Sequence, residues 1–342
     1  MTNALTDLLA ERDWLMLDGA TGTNLFAMGL EAGEAPELWN TDDPDKIRAL
    51  HNGFIHAGSD VILTNSFGGT RYRLKLHDAQ DRVHELNIAA AKIARECADA
   101  VDRKVIVAGS VGPTGEILEP VGSLSHEDAV AAFREQIAGL MEGGVDVIWG
   151  ETISSEEEFR AISEAAQAEN APLCGTLSFD TAGRTMMGVT SSGFASFSAS
   201  LPHRPMALGA NCGTGAPDLL RTVSGITEAD PNAIVIAKAN AGIPKYVDGR
   251  IEYDGTPELM ARYAKLARGL GARLIGGCCG TKPEHLVAMR AAMEGFVPDA
   301  RPDLETICSE IGEFSSADDG AGASAETDAT RGRGGRRGRR RG

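Results

Sequence analysis

Eight short apolar runs recur along the chain and set the terms of any fold it can adopt. They are WLMLDG (14–19), DVILTNSF (60–67), KVIVAGSVGP (104–113), VDVIWGET (145–152), PLCGTLSFD (172–180), PMALGANC (205–212), AIVIAKANAG (233–242) and ARLIGGCCG (272–280). Each is apolar on both parities, so each must be buried on both faces, as parallel strands covered by helices are. Between the runs the apolar spacing changes to three and four residues, which marks amphipathic helices. The clearest helix is expected over 79–102. Others are expected near 44–57, 125–142, 155–169, 216–228, 257–270 and 283–294, with a weaker, Ser-rich one at 190–201. Eight strands alternating with helices predict the α/β class and a single (β/α)8 TIM barrel over residues 1–310. A doubly wound open sheet is the competing architecture. It would place a G-x-G-x-x-G turn after the first strand, where this chain has DGATGTNL.

Composition narrows the class further. With 42% hydrophobic and 24% charged residues among 342, the chain is expected to build a large core. No run of about 18 apolar residues occurs, so no membrane span is expected. The N-terminal MTNALTDLLAERDW carries acids and lacks an apolar signal core, which predicts a cytoplasmic protein. In a reducing compartment six cysteines are no disulfide framework, and clustered ones point to metal or catalysis. The charge is uneven. The last twelve residues, RGRGGRRGRRRG, hold seven arginines and no acid, whereas residues 1–330 hold 26 basic against 49 acidic residues, a net of −23. Such a body repels nucleic-acid phosphates. Residues 311–342 have too few apolar groups to bury and read as a disordered linker and Arg/Gly tail. That tail is expected to be a solubilising extension, with a weak RNA contact as the alternative.

A barrel reading assigns chemistry by position, because the C-terminal ends of the strands form the active face. Asp18, Thr64 with Asn65 and Ser66, Glu151, Asn211, Cys212, Asn240, Cys278 and Cys279 all fall there. Three thiols at one mouth suit a borderline-soft metal, for which Zn²⁺ is the default, and three protein ligands leave the fourth position open for chemistry. Gly276, Gly277 and Gly280 are expected to let the backbone turn both adjacent sulfurs inward. The competing readings are three buried unmetallated cysteines or a thiol switch. Cys97, Cys174 and Cys308 read as packing residues. Asp18 and Glu151 suit an acid–base pair, an anchor for a cationic amino group, or helix caps. The seven histidines form no H-E-x-x-H pattern, and neither a Walker loop nor a G-x-S-x-G elbow is present.

At LDGATGTNL, HAGSDVILTNSF, GSVGPTG, GETI, GANCGTG, ANAGIP and GGCCGT, in that order over about residues 12–295, the chain resembles the zinc-dependent homocysteine S-methyltransferases. The resemblance implies a (β/α)8 barrel that makes methionine, with zinc on Cys212, Cys278 and Cys279 and the homocysteine thiolate as fourth ligand. It also implies that Asp18, Gly19 and Glu151 hold the amino-acid end of homocysteine, with Thr64 at a neighbouring substrate-side position. Betaine-using members carry an aromatic pair after the second strand, where this chain has Phe67 and Gly68. TNSFGGT and ANAGIP look more like the barrel of methionine synthase, whose donor is methylcobalamin held on another domain. The resemblance therefore leaves glycine betaine and a methylcorrinoid on a separate protein as equal donors, with S-methylmethionine third. Trp39, Tyr72 and Tyr246 either supply aromatic walls for a cationic donor or pack locally. A metal-binding or thiol-switch barrel without methyl transfer, and an RNA-associated protein acting through its tail, are the alternatives from other classes.

Overall fold

The computed structural model describes residues 3–247 and 250–318. Each apolar run forms a strand: β1 (Leu15–Met16), β2 (Val61–Leu63), β3 (Ile106–Val111), β4 (Val147–Ile153), β5 (Leu173–Leu177), β6 (Ala207–Cys212), β7 (Val235–Ala239) and β8 (Ala272–Gly277). The main helix after each strand is α1 (Pro44–His56), α2 (Val83–Asp99), α3 (His126–Gly143), α4 (Glu156–Ala168), α5 (Ser191–Ser200), α6 (Ala216–Ala229), α7 (Pro257–Gly269) and α8 (Pro283–Met293). Ser125, Ser155, Thr190 and Thr256 start α3, α4, α5 and α7 by accepting a backbone N–H three residues on, the usual way to satisfy an orphan donor of a first turn.

The sheet is parallel throughout and runs β1-β8-β7-β6-β5-β4-β3-β2. From β2 to β8 each strand therefore pairs with the next in the chain, and β1 pairs with β8, which is barrel order and not a doubly wound sheet. The seam between β1 and β2 is too short for a ladder and is closed by carboxylates. Asp60 N donates to Met16 O at 2.7 Å. Met16 N donates to Asp60 Oδ2 at 2.9 Å, and Leu63 N donates to Asp18 Oδ2 at 2.7 Å. Two aspartates thus replace the missing ladder bonds and leave the barrel nearly closed.

Side chains alternate along the strands. Leu15, Leu17, Val61, Leu63, Ile106, Ala108, Val147, Trp149, Cys174, Ala207, Ile236 and Leu274 fill the interior. The opposite parity packs on the helices. An N-terminal helix, Ala4–Glu11, adds Leu5, Leu8 and Leu9 to the interior cluster and so plugs the lower end. The barrel rhythm does not foresee this helix, because it precedes the first strand. A hairpin, Pro244–Val247 with Arg250–Tyr253, lies between β7 and α7, and a last helix spans Leu304–Ile311.

The first residues of the extension read as disordered are docked. Ile311 is buried, Phe314 lies 4.6 Å under the Arg221 guanidinium, Ser315 N donates to Asp218 Oδ2 at 3.0 Å, and Arg221 donates to Ser316 O at 2.8 Å. Composition misses this because two apolar side chains and backbone hydrogen bonds suffice to hold so short a strap. The Arg/Gly tail itself, from residue 319, lies outside the described residues. Among the described residues no helix is long and apolar enough to cross a membrane.

Candidate metal and substrate site

Strand parity places the polar residues. On β4, inward Val147 and Trp149 are followed two residues on by Glu151, and on β7 inward Ile236 is followed by Lys238. Both side chains stand one layer above the apolar plug. There Lys238 Nζ meets Asp18 Oδ1 at 2.7 Å, with both side chains almost wholly buried. Asp18 thus has both oxygens engaged inside the barrel, one by Lys238 and one by Leu63 N. Burial lowers a lysine's pKa, but here the Asp18 and Glu151 charges outweigh it and hold Lys238 above its ordinary value. Burial pushes the Glu151 carboxyl up, against the pull of Lys238 and of its hydrogen bond from Ser110. Ser110 Oγ donates to Glu151 Oε1 at 2.5 Å.

Thr64 belongs to the support of this pair. Ser66 Oγ donates to Ser110 O at 2.8 Å, so the 2.6 Å contact between Thr64 and Ser66 has Thr64 as donor. Thr64 Oγ1 also accepts from Ser110 N at 3.0 Å. Its hydroxyl therefore fixes Ser110, which holds Glu151. Gly19 is required by close approach, since a Cβ there would lie 2.7 Å from Thr281 O and 2.9 Å from Phe54. Its backbone runs directly against the turn that carries Cys278 and Cys279.

The three cysteines come together. The Sγ atoms of Cys212, Cys278 and Cys279 all lie within 4.8 Å of one another, a grouping able to hold a metal ion. Cys212 and Cys279 are 3.9 Å apart. Thiolates at about 2.3 Å from a tetrahedral zinc lie about 3.8 Å from each other, whereas a disulfide needs about 2.05 Å. The spacing fits an ion between the sulfurs. The contacts among the sulfurs pull both ways, that from Cys278 lowering Cys212 and that from Cys279 raising it, and with burial and mutual charge the sum pushes Cys212 up to about 11 and Cys278 and Cys279 up to about 12. Three such groups cannot ionise together unless a cation sits between them, so the donor set itself fits a soft dication. Asn240 adds to that fit. Its Nδ2 donates to Gly213 O at 2.8 Å, while its buried Oδ1 has no partner among the described residues.

The backbone is bent to bring the sulfurs inward. Cys212 has φ 61° and Thr152, next to Glu151, also has φ 61°. Left-handed backbone at such residues is strained and persists only where neighbours enforce it. Asn211 is the enforcer. Its Oδ1 accepts from Thr152 N at 2.8 Å and from Thr176 at 2.7 Å, and its Nδ2 donates to Thr152 Oγ1 at 2.7 Å and reaches Cys278 Sγ at 3.7 Å. One amide thus ties β4, β5 and β6 to the Cys278 turn. Of the glycines around the vicinal pair, Gly280 alone has positive φ, at 77°. Gly276 and Gly277 serve close approach instead, since a Cβ would fall 2.5 Å from Leu17 and 2.2 Å from Thr281 Oγ1 respectively.

Some residues escape a reading of the sequence. Lys238 carries a usable signal, a lysine inside an apolar run at inward parity. Ser110 and Tyr253 carry none. Tyr253 lies across Gly280, where a Cβ would meet its ring at 2.4 Å, and its hydroxyl bonds the Cys279 sulfur. Trp39 and Tyr72 pack against the core, Trp39 under Lys46 at 4.0 Å. The side chain of Tyr246 lies outside the described residues. Cys97 and Cys174 are buried, and burial pushes Cys174 up to about 12.

A (β/α)8 barrel whose catalytic end carries three thiols able to hold a metal ion, with buried carboxylates beside them, defines the class. The chain belongs to the homocysteine S-methyltransferase family, whose description it matches over residues 15–293. Among solved structures it is similar to the homocysteine methyltransferase MmuM from Escherichia coli. The oxidized form matches at 26% identity and TM-score 0.70, over 85% of this chain and 99% of that one. The metallated form matches at 25% identity and TM-score 0.70, over 84% and 99%. A methyltransferase from Methanosarcina mazei shares the fold, with 15% identity and TM-score 0.54 over 86% and 99%.

Proposed function

We propose that the protein forms methionine from homocysteine at Cys212, Cys278 and Cys279, with Zn²⁺ as the resident metal and a methylcorrinoid carried on a separate protein as donor. The single observation that carries this reading is the convergence of the three sulfurs within 4.8 Å of one another, with the 3.9 Å between Cys212 and Cys279 close to the edge of a tetrahedral thiolate site. The similarity to a metallated form of MmuM supports a bound metal. A free thiol has a pKa near 8.5 and is mostly protonated at neutral pH, and zinc bound by the three cysteines supplies the positive charge that keeps the homocysteine sulfur as thiolate.

The chain's own groups then bind and orient. Glu151 anchors the substrate ammonium, with Ser110 fixing its carboxylate and Thr64 fixing Ser110. Asp18 acts from beneath by holding Lys238, whose charge offsets that of Glu151 and of the nearby Cys278 sulfur. The Gly19 backbone lines the amino-acid end of the pocket. In the transfer the sulfur lone pair forms the new S–CH₃ bond, and the electron pair of the breaking bond stays with the donor. The product is a neutral thioether, a poorer metal ligand than a thiolate, so a metal held by Cys212, Cys278 and Cys279 would not retain it. No side-chain base is needed once the sulfur is deprotonated.

The donor assignment rests on Gly68. Its N–H donates to Glu37 Oε1 at 2.6 Å, and a Cβ at position 68 would press on that carboxylate at 3.0 Å. An aromatic side chain at position 68 would therefore have to displace the Glu37 carboxylate, so the second wall of a betaine cage has no room there. A donor delivered by a protein needs no such wall. The barrel over residues 1–310 is then the catalytic unit, and its free thiols suit a cytoplasmic setting. The test is methionine formation by the zinc-loaded protein from homocysteine with methylcobalamin or with glycine betaine. Methionine from methylcobalamin only is expected. Methionine from betaine would reassign the donor, and none from either, or from S-methylmethionine, would leave a thiol-switch or metal-storage barrel.

A further inference from the structure

In the reaction proposed above, a methyl donor at the mouth meets the substrate sulfur and the sulfurs of Cys212, Cys278 and Cys279 together. The three cysteines are only half-buried, and their sulfurs lie within 4.8 Å of one another. A thiolate is a nucleophile whichever molecule carries it, so the site must keep the methyl group off its own cysteines. Each of their sulfurs faces a neutral hydrogen-bond donor. Asn211 Nδ2 reaches Cys278 Sγ at 3.7 Å. The Tyr253 hydroxyl bonds Cys279, and the Asn240 side-chain amide bonds Cys212. Tyr253 differs from the two asparagines because it does not come from a barrel strand. It ends the hairpin between β7 and α7, and the base of that hairpin is fastened to the Cys279 turn. Ala241 N donates to Cys279 O at 2.9 Å, and Gly255 N donates to Ala241 O at 2.8 Å. His285 accepts from Lys282 N through Nδ1, so its Nε2 donates to Gly255 O, at 3.0 Å. The Tyr253 ring lies across Gly280, where any Cβ would collide with it.

We infer that Tyr253 is a positioning residue that damps the Cys279 sulfur, so that the methyl group goes to homocysteine and not to a cysteine that holds the metal. This rests on the metal reading above and adds how the site chooses among its sulfurs. A phenol O–H aimed at a thiolate engages one of its lone pairs and withdraws part of its charge. Hydrogen bonds of this outer kind tune the groups that hold a metal. Methylation of Cys279 would disable the site. The cysteine lone pair would form the S–CH₃ bond, the electron pair of the breaking bond would leave with the donor, and a thioether would stand where a thiolate had held the metal. Tyr253 is also the donor that can be tested cleanly, because Phe keeps the ring over Gly280 and loses only the hydroxyl. Asn211 does not allow this, since its amide also holds Thr152 and Thr176.

The test applies methyl iodide, a small electrophile that releases iodide, to the zinc-loaded full chain without homocysteine. Peptide fragmentation in a mass spectrometer assigns each methyl group to Cys212, Cys278 or Cys279, and bound zinc is counted after gel filtration. Tyr253→Phe should raise the rate of methylation at Cys279 about 10-fold relative to Cys278, whose bond from Asn211 is intact. Zinc should leave as Cys279 is marked. Asp254→Ala loosens the same hairpin, by removing the ion pair with Lys245 and the bond from Ile243 N, and leaves the phenol in place. Its ratio of Cys279 to Cys278 methylation should equal the parent's. An unchanged ratio in Tyr253→Phe would overturn the inference. Equal acceleration at both cysteines, or the same change of ratio in Asp254→Ala, would overturn it too and would reduce the hairpin to a cover. A parent that holds no zinc would overturn the metal reading, and the inference with it, whereas a zinc-bound parent and variant with the same ratio sink the inference alone.

Discussion

Cys212 holds a left-handed backbone that most residues avoid, and it does so at the end of a strand whose other residues are ordinary. The strain is matched at Thr152, and Asn211 clamps both ends of that arrangement. Replacing Cys212 by Ala removes one of three sulfurs, so metal retention and methyl transfer are both expected to vanish, as read by bound zinc after gel filtration and by methionine formation. Full turnover without bound metal would sink the assignment. Glu151 is tested differently. Burial raises its pKa, so it takes up a proton at higher pH than an exposed glutamate does. As pH falls, the carboxylate loses its charge and homocysteine KM should rise earlier than an exposed acid would dictate. Glu151→Gln should raise that KM about 10-fold or more at neutral pH, the worth of one charge-assisted hydrogen bond. It should also flatten the pH dependence on the acid side. An unchanged KM would remove the anchoring role. The roles of Asp18 and Thr64 show what sequence position alone conveys. Both sit at strand ends and read as substrate-facing, but their partners, Lys238 and Ser110, lie 220 and 46 residues away. A side chain's hydrogen-bond partner is set by tertiary packing and is not encoded locally.

Elements were the most legible level. The eight strands and eight helices follow from apolar runs and from three- and four-residue spacing, because burial on two faces and on one stripe leave different patterns. What lay outside the alternation was not legible. The N-terminal helix plugs the barrel with three leucines, and the hairpin before α7 fits a loop insertion as well as it fits structure. The reason for the glycines around the vicinal cysteines also needed the fold. Only Gly280 serves the turn, while Gly276 and Gly277 let β8 approach β1 and Thr281. Gly277→Ala should therefore push on Thr281, 2.2 Å from the new Cβ, and displace the adjacent sulfur. A loss of about 1–3 kcal/mol in chemical denaturation is expected, with faster release of zinc to a chelator. A variant that melts and holds zinc like the parent would show that the close approach is dispensable.

At the scale of the whole molecule, the barrel is closed by charge as well as by ladder bonds. Asp18 and Asp60 bridge the β1–β2 seam, Lys238 neutralises the first, and Arg12, Arg103 and Arg290 surround the second. Lys238→Met would leave the Asp18 charge buried and unpaired, costing about 3–5 kcal/mol. Adding Asp18→Asn should recover most of that in urea melts, and failure to recover would mean that the lysine stem, not its charge, matters. A second global effect comes from His51, which is fully buried in α1 with neither ring nitrogen bonded among the described residues. Burial lowers its pKa to about 4, against 6.5 for the free side chain. The native state keeps it neutral while the unfolded chain binds a proton, so stability falls as pH drops from about 6.5 to about 4, by about 3 kcal/mol in all. His51→Leu should abolish that component of the slope. The central claim is that three thiols hold one zinc ion whose remaining position takes the homocysteine sulfur. Zinc K-edge absorption of the purified protein, recorded without and with homocysteine, tests it most directly. The account predicts three sulfurs at about 2.3 Å rising to four when homocysteine is added. A sulfur count that homocysteine leaves unchanged would contradict it.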